Sequence, residues 1–272
     1  DPIVDLRLRY EHVDQDNATD TGNALTARLR AGAEIKAGDF AFLTEGEGTF
    51  APVDRYNAFP FAAEAQNRPY DTVPDPGNIE LNRAQIGWAH KGNSVTLGRQ
   101  RINLDDQRWV GSVGWRQNEQ TFDAVRGTAR VGLLSLDATY ANGQRTIFGV
   151  DAGKRQAYDG DFVFLGAGVA TGPVTVKGFV YLLDYDDPLM AASSSKTFGI
   201  LATGALPLGP KAKVAFKASY ANQSDWKTVA RNYNADYLAL EGQVSVIGVT
   251  VTGGYELLGS DNGVGLATPM AT

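Results

Sequence analysis

Residues 79–126 read IELNRAQIGWAHKGNSVTLGRQRINLDDQRWVGSVGWRQNEQTFDAVR, and this stretch decides the fold. Apolar and polar residues alternate in three parts of it, which predicts strands at 80–90, 94–102 and 117–125. The tripeptide 91–93 predicts a tight turn, because glycine and asparagine tolerate a positive φ. The polar face of these strands carries arginine, carboxylate, amide and glycine, so it requires either bulk water or a wet lumen.

Three segments of the chain resemble the alginate-export family of outer-membrane β-barrels. They are FLTEGEGTF at 42–50, ELNRAQIGW at 80–88 and VTLGRQRINLDDQRWVGSVGWRQNEQTFDAVR at 95–126. The similarity is best from about Leu6 to Arg126. It implies a barrel of about 16 to 18 strands. It also implies an arginine-rich constriction that selects an anionic polyuronate, with the GRQRI and NRAQ segments in the wall around that pore.

Composition narrows the possible functions. The 272 residues include no cysteine, which excludes disulfides, thiolate metal sites and a cysteine nucleophile. The net charge of −6 and the pI near 5.0 argue against nucleic acid as a partner. No apolar run approaches the ~18 to 20 residues of a membrane-spanning helix, but barrel strands need only about 9 to 11. The chain begins at Asp1 directly before a strand, as a processed secretory protein would.

The same alternation predicts ten further strands outside the opening stretch, which makes thirteen. The connections alternate between long and short, as they do in transmembrane barrels, and a β-sandwich or a propeller would not show this pattern. We therefore predict an all-β protein, an antiparallel transmembrane up-and-down β-barrel in the outer membrane, formed as a single domain by residues 1–272. The ten strands are expected at 3–13, 24–36, 40–49, 131–141, 161–170, 174–183, 196–205, 211–221, 235–245 and 249–258.

Thirteen is an odd number, whereas bacterial single-chain barrels normally have an even one. An open sheet edge is not viable in lipid. We therefore expect C-terminal strands beyond these residues, in a barrel of about 16 to 18 strands, or a second chain that completes the barrel. The loop-like stretch 259–272 lacks the terminal aromatic strand on which such barrels usually end.

The polar stripes of the strands predict a charged pore lining. Guanidinium groups there would attract carboxylates of a solute, and acids on the opposite wall would keep the solute mobile. The alternative is ion-pair packing that rigidifies a plugged barrel. The acidic side chains expected on this face, Glu11 among them, nearly balance the basic ones in number. The pattern therefore also fits a general porin with a mild preference for anions. The expected pore-lining residues are Arg7, Arg9, Arg28, Arg30, Glu34, Glu45, Glu47, Arg83, Gln85, Arg101, Glu119, Asp123, Lys177, Lys213 and Lys217.

Two of the arginines leave their orientation open. Arg99 and Arg101 share the parity of Val95 and Leu97, which predicts that they point outward unless a β-bulge turns them inward. In strand 117–125 the pattern puts Phe122 and Ala124 on the lipid face. The tyrosines and tryptophan expected at the membrane interface are Tyr10, Trp88, Tyr140, Tyr220 and Tyr255.

Two further groups are weighed as reactive or metal sites. His12 lies toward the long-loop rim and His90 toward the short-turn rim, where His90 shares the lipid-facing parity of Trp88. A barrel phospholipase would need a serine–histidine pair, so catalysis is not expected. Acidic loops could bind calcium or bridge to lipopolysaccharide, but solvated loops explain them as well. Their residues are Asp14, Asp16, Asp20, Asp105, Asp106, Asp184, Asp186 and Asp187.

The sequence thus favours an outer-membrane channel for passive diffusion of polar solutes of anionic or saccharide type, without a cofactor. The family resemblance implies a monomer, whereas the residues themselves leave the oligomeric state open. Its expected surroundings are outer-membrane lipid and lipopolysaccharide. The first alternative is a structural or docking barrel with a plugged lumen, whose loops bind a partner or lipopolysaccharide. The second is a barrel enzyme of the outer leaflet.

Overall fold

The computed structural model describes residues 1–16, 20–59, 68–227 and 231–271. Thirteen antiparallel strands form one sheet, in which every strand pairs with its neighbours in chain order. They are Pro2–Val13 (β1), Gly22–Ala37 (β2), Phe40–Arg55 (β3), Asn78–His90 (β4), Asn93–Gln100 (β5), Thr121–Val131 (β6), Leu134–Arg145 (β7), Ala157–Thr171 (β8), Val174–Tyr185 (β9), Ser195–Pro207 (β10), Ala212–Asp225 (β11), Asn234–Val246 (β12) and Val249–Leu258 (β13).

The predicted all-β, up-and-down topology with thirteen strands is confirmed, and so is the alternation of long and short connections. β4 and β5 are joined by Lys91 and Gly92, with φ of 48° and 82°, as a two-residue hairpin of this type requires. Within the described residues, β1 and β13 each pair with only one strand. No described helix is both long and apolar enough to span a bilayer.

Short elements complete the described chain. One 3₁₀ helix, Val150–Arg155, lies between β7 and β8, and a second, Ala191–Ser193, lies between β9 and β10. After β13 the chain forms a small hairpin from Ser260–Asp261 (β14) and Val264–Gly265 (β15). The stretch 259–271, called the tail segment below, then turns back toward the interior, where Met270 is fully buried.

The outward face follows the predicted alternation closely. Val4 and Leu6 of β1 are each 75% exposed, although they belong to a regular strand. Apolar side chains so exposed along every strand fit a wall that meets acyl chains. Near the long-loop rim three outward tyrosines make the same contact. Each hydroxyl donates a hydrogen bond to the next strand, to the residue two positions from the one that pairs with the tyrosine in register. The pairs are Tyr10–Asn23, Tyr140–Asp161 and Tyr220–Asp236.

The inward face is not polar throughout. On β6, β8 and β9 the inward face carries aromatic side chains that are nearly inaccessible to solvent, and rings on neighbouring strands meet edge to face. Ile102, Leu104 and Val110 from the connection between β5 and β6 pack on them, together with Met270 of the tail segment. This part of the lumen is therefore a dry core. Its inward rings are Phe122, Tyr158, Phe162, Phe164, Phe179, Tyr181 and Tyr185.

This core overturns the predicted orientation of β6. Phe122 is fully buried and Ala124 nearly so, both inside the barrel, while Val125 faces outward. Asp123 pairs in register with Arg99 and therefore shares the outward face, so its assignment to the pore lining is wrong. The physical reason is that alternation separates two faces without identifying them, and here the inside is apolar.

Several predicted bounds also shift. Residues 117–120 belong to no strand, and β6 begins only at Thr121. The side chain of Gln117 bonds the backbone of Thr26 in β2, and that of Asn118 bonds the backbone of Pro76 in a loop. The short turn between the expected strands 117–125 and 131–141 lies at 132–133, where Gly132 has a φ of 60°. β3 runs on to Arg55, six residues beyond its expected end.

A prediction follows from the dry core. Replacing Phe162 by Ala should lower the free energy of unfolding by about 3–5 kcal/mol, because the ring is lost from a close-packed interior and leaves a cavity. Replacing Phe198 by Ala is the control, since this ring is 51% exposed on the outward face and acyl chains can fill its place. Urea unfolding in lipid vesicles measures both, and equal losses would refute a packed interior.

Candidate functional site: a loop across the lumen

The connection between β5 and β6, residues 101–120, turns into the lumen and is called the inner loop below. β5 stops at Gln100, so residues 78–83 of β4 extend beyond its end. Side chains bridge this part of the wall: Arg99 bonds Asp123 and the carbonyl of Leu81. The inner loop thus leaves the sheet at the point where β4 extends past the end of β5.

On the β1 side, arginines hold the inner loop by its backbone. Arg7 donates hydrogen bonds to the carbonyl oxygens of Gly114 (3.0 Å), Trp115 (2.7 Å) and Arg116 (3.1 Å). The guanidinium of Arg9 also bonds the Trp115 carbonyl and lies 5.2 Å from the centroid of that indole ring. Guanidinium groups suit this role because they present several donors in a fixed plane.

Behind this contact lies a buried ion network. Glu119 of the inner loop accepts from Arg30 (2.8 Å) and from Nε of Arg101 (2.9 Å). Arg30 also pairs with Glu47 (2.5 Å), and both side chains are at most 5% exposed. Charges this deeply buried persist only when each has a partner. The network therefore ties the end of the inner loop to the wall. One further pair, Glu45–Arg83, joins it through Asn82, whose amide bonds both Glu45 and Glu119.

The loop between β3 and β4 closes over the same region. Asp75, with its side chain 1% exposed, accepts the backbone N–H of Gln117 (2.9 Å) and lies 3.6 Å from Arg116. The Tyr56 hydroxyl donates to the Asp75 carbonyl (2.7 Å). Burial, with the nearby Asp75 carboxylate, raises the pKa of Tyr56 to about 12, so this hydroxyl keeps its proton and remains a donor.

On the opposite wall the inner loop meets lysines. Asp105 pairs with Lys177 of β9 (2.7 Å), and Asp106 pairs with Lys217 of β11 (3.0 Å). The next turn of the loop places Arg108 beside Glu256 of β13 (3.1 Å). These pairs are more exposed than the network around Glu119. The loop therefore spans the lumen from β1 and β2 to β9, β11 and β13.

The tail segment fills part of the remaining space and is held by glutamine side chains. Gln223 bonds the backbone of Ala267 twice, through Nε2 to the carbonyl and through Oε1 from the N–H, both at 2.8 Å. Gln120 donates to the Met270 carbonyl (3.1 Å) and Gln144 to the Pro269 carbonyl (3.3 Å). The inner loop adds a backbone bond from Gly111 to Met270.

Most of the predicted pore-lining residues lie on the inward face, though their role in a pore stays a prediction. Arg28 is buried and bonds Asp5 (2.6 Å), while Glu34 pairs with Lys36 (2.8 Å) near the short-turn rim. Arg101 has outward parity but follows the last residue of β5, so it reaches Glu119 inside. The others on inward strand positions are Arg7, Arg9, Arg30, Glu45, Glu47, Arg83, Gln85, Lys177, Lys213 and Lys217.

The histidines and acidic loops find simple partners. Nδ1 of His12 lies 2.9 Å from Asn23, and Nδ1 of His90 lies 3.0 Å from Asp39, with its ring stacked on Trp88. Asp184 pairs with Lys227 (2.6 Å), as Asp105 and Asp106 pair with lysines. No three carboxylate or imidazole side chains of the described residues converge as metal ligands, so the calcium hypothesis has no support there.

Sequence reasoning missed the buried glutamines and the inward course of the inner loop. One signal was available: Ile102, Leu104, Trp109 and Val110 are apolar residues in a connection that would otherwise be polar. Large apolar side chains in a long loop imply that the loop packs against something. The glutamines carried no such signal, because a strand amide reads alike on either face.

A family model described as alginate export matches residues 6–170. The chain belongs to this family. Its fold is shared with solved outer-membrane porins. A BenF-like porin from Pseudomonas fluorescens Pf-5 superposes with a TM-score of 0.71 at 14% identity, covering 94% of this chain and 67% of the porin.

Two other porin-fold neighbours show the same relation. OccAB3 of Acinetobacter baumannii superposes with a TM-score of 0.69 at 15% identity, covering 96% of this chain and 66% of OccAB3. OpdL of Pseudomonas aeruginosa superposes with a TM-score of 0.66 at 17% identity, covering 94% of this chain and 64% of OpdL. The chain thus spans about two thirds of the length of these proteins. No curated protein sequence matches it.

These matches confirm the predicted family and the predicted place of the protein, a multi-pass β-barrel of the outer membrane. The matched family is named for export and the neighbours include a named porin, which agrees with a transport protein instead of an enzyme.

The buried network predicts that two carboxylates, those of Glu119 and Glu256, contribute very different amounts to the free energy of unfolding. Glu119→Gln should destabilise the protein by about 3–5 kcal/mol, since it leaves Arg101 without its charged partner and Arg30 with Glu47 alone in the buried network. Glu256→Gln, at a side chain 47% exposed, should cost about 0–1 kcal/mol. Limited proteolysis near Trp115 should speed up only in the first variant, and equal rates would contradict the anchoring role.

The position of the tail segment can be tested by cross-linking, because the chain has no native cysteine. Val110 and Met270 form an isolated parallel β-bridge. In Val110→Cys/Met270→Cys a disulfide should form spontaneously, because paired strand positions lie within disulfide reach. Cleavage between the two cysteines followed by non-reducing electrophoresis measures it. Val110→Cys with Lys213→Cys is the control, and equal yields would refute the placement.

Proposed function

We propose that this chain forms the wall and the constriction of an outer-membrane channel, through which polar solutes of anionic or saccharide type diffuse passively. The observation that carries the proposal is the inner loop, which is bonded to Arg7 on one wall and to Lys177 and Lys217 on the other. A loop held at both walls narrows the lumen at a fixed height.

A mild preference for anions is supported by the unequal neutralisation of the lumen charges. Among the described residues Arg7 bonds three carbonyl oxygens and forms no ion pair, so its charge is not cancelled by a neighbouring carboxylate. Register places Arg28 directly opposite it, but Arg28 is itself paired with Asp5 (2.6 Å). Elsewhere the lysines at the loop tip are neutralised by aspartates. The remaining positive charge therefore lies at Arg7 of β1.

A second candidate is a structural or docking barrel whose lumen is closed. It is favoured by one observation, the apolar core that the inner loop, the tail segment and the rings of β6, β8 and β9 form inside the sheet. Such a core blocks that part of the lumen to polar solutes. Single-channel recording separates the candidates, because a closed barrel gives no conductance steps.

Selectivity tests the channel proposal at one residue. In a planar bilayer with a salt gradient, Arg7→Gln should move the reversal potential toward cation selectivity, because the amide can still bond a loop carbonyl but carries no charge. Lys36→Gln is the matched control: this lysine is 62% exposed at the short-turn rim and paired with Glu34. A channel with the wild-type reversal potential in Arg7→Gln would remove this arginine from the selectivity mechanism.

A further inference from the structure

The outward face of the barrel carries an apolar cavity of about 610 Å³ across β7 to β10. Its floor consists of small residues, Ala138, Ala167 and Gly178, which have the outward parity of their strands. Larger apolar side chains rise around them. These flanking residues, which with the floor make up what we call the wall groove, are Leu136, Leu165, Val180 and Phe198.

Gly178 is what opens the wall groove. A β-carbon added at this glycine would meet only the Gly199 carbonyl oxygen, at 4.0 Å, so the space above it is empty. The flanking side chains remain accessible, with Leu165 43% and Phe198 51% exposed. Four neighbouring strands at a spacing of about 4.8 Å give the groove a length of ~14 Å. An elongated apolar group on the membrane face has the shape and polarity to fill it.

A cation lies at the end of the wall groove nearer the long-loop rim. Lys196 is on the same face of β10 as Phe198 and two residues closer to that rim, and its ammonium group lies 5.6 Å from the ring centroid of Trp226. No carboxylate of the described residues forms an ion pair with it. A lysine so placed can reach a negatively charged headgroup while its stem stays on apolar surface.

The neighbouring charges on this rim are already matched. Lys227 bonds Asp184 (2.6 Å) and lies 3.8 Å from Asp161, whose carboxylate also accepts from the Tyr140 hydroxyl (2.6 Å). The ion pair with Asp184 raises the pKa of Lys227, so this lysine stays charged and committed to the aspartates. Among the described residues, Lys196 is therefore a cation at this rim whose charge remains available and which lies on the same strand face as the wall groove.

We propose that the wall groove binds one acyl chain of a phosphorylated glycolipid of the outer leaflet, with a lipid phosphate on Lys196. The long-loop rim faces the outside in barrels of this kind, which places Lys196 at the level of that leaflet. The positive charge of Lys196 attracts the phosphate. The space left by the missing side chain at Gly178 accommodates the acyl chain. The site is separate from the lumen and does not depend on conduction.

Native mass spectrometry of the purified protein, released from detergent after incubation with lipid A, tests the site. The wild type should retain one lipid A. Gly178→Leu should retain at least tenfold less, because its side chain occupies the floor. Gly242→Leu is the matched control: this glycine lies on the outward face of β12, and a β-carbon there meets nothing within 4 Å. Retention in Gly178→Leu equal to that in Gly242→Leu would overturn the proposal.

A second part of the mass-spectrometry experiment tests the contact between Lys196 and the lipid phosphate. The wild type should retain phosphorylated lipid A at least tenfold better than the dephosphorylated lipid, and Lys196→Gln should retain both equally. A preference for phosphate that survives in Lys196→Gln would overturn the assignment of this lysine. Folded barrels migrate differently in gel electrophoresis before and after heating. Loss of this difference in a variant would indicate misfolding, in which case Gly178→Val and Lys196→Met replace the first pair and carry the same expectations.

Discussion

The architecture inside the barrel depends on the inner loop being tied to two opposite walls. Its end is fixed by Glu119, which lies between Arg30 and Arg101 in a site with almost no access to water. Removing one partner from such a buried network costs about 3–5 kcal/mol, against about 0–1 kcal/mol for an exposed pair. The anchored end is therefore rigid, whereas the lysine-bound tip is held by weaker, more accessible contacts.

The two faces of the sheet solve different problems. Outside, alternation is simple, since every apolar stripe meets acyl chains and the rim tyrosines bond a neighbouring strand at the interface. Inside, the face divides into a charged half on β1 to β4 and an aromatic half on β6, β8 and β9. The inner loop is matched to this division, because it presents carbonyls and Glu119 to the first half and Ile102, Leu104 and Val110 to the second.

Much of the fold could be predicted from the sequence. Thirteen strands, their antiparallel order and the alternating connection lengths all follow from local patterns of period two and from turn residues such as Lys91 and Gly92. The inward parity of Arg7, Arg30, Glu45 and Glu47 follows in the same way. These features are local, so each strand reports them without knowledge of the others.

The parts that the sequence did not reveal are those set by contacts between distant segments. Alternation in β6 separates Phe122 from Asp123, but which of them is inside depends on an apolar loop folding against that strand. The grip of Gln144 and Gln223 on the tail segment joins residues more than forty positions apart and uses side-chain amides that suit water equally well. The alternation within one strand does not determine which residues pair with one another inside the lumen.

The claim that the inner loop sets the pore width can be measured by polymer exclusion. Single-channel conductance recorded with polyethylene glycols of increasing size gives the cut-off of the wild type and of a variant in which residues 103–116 are replaced by a short glycine–serine linker. The variant should admit larger polymers and conduct more, because the inner loop no longer narrows the lumen. An unchanged cut-off in a folded variant would place the narrowest point elsewhere and refute this role of the inner loop.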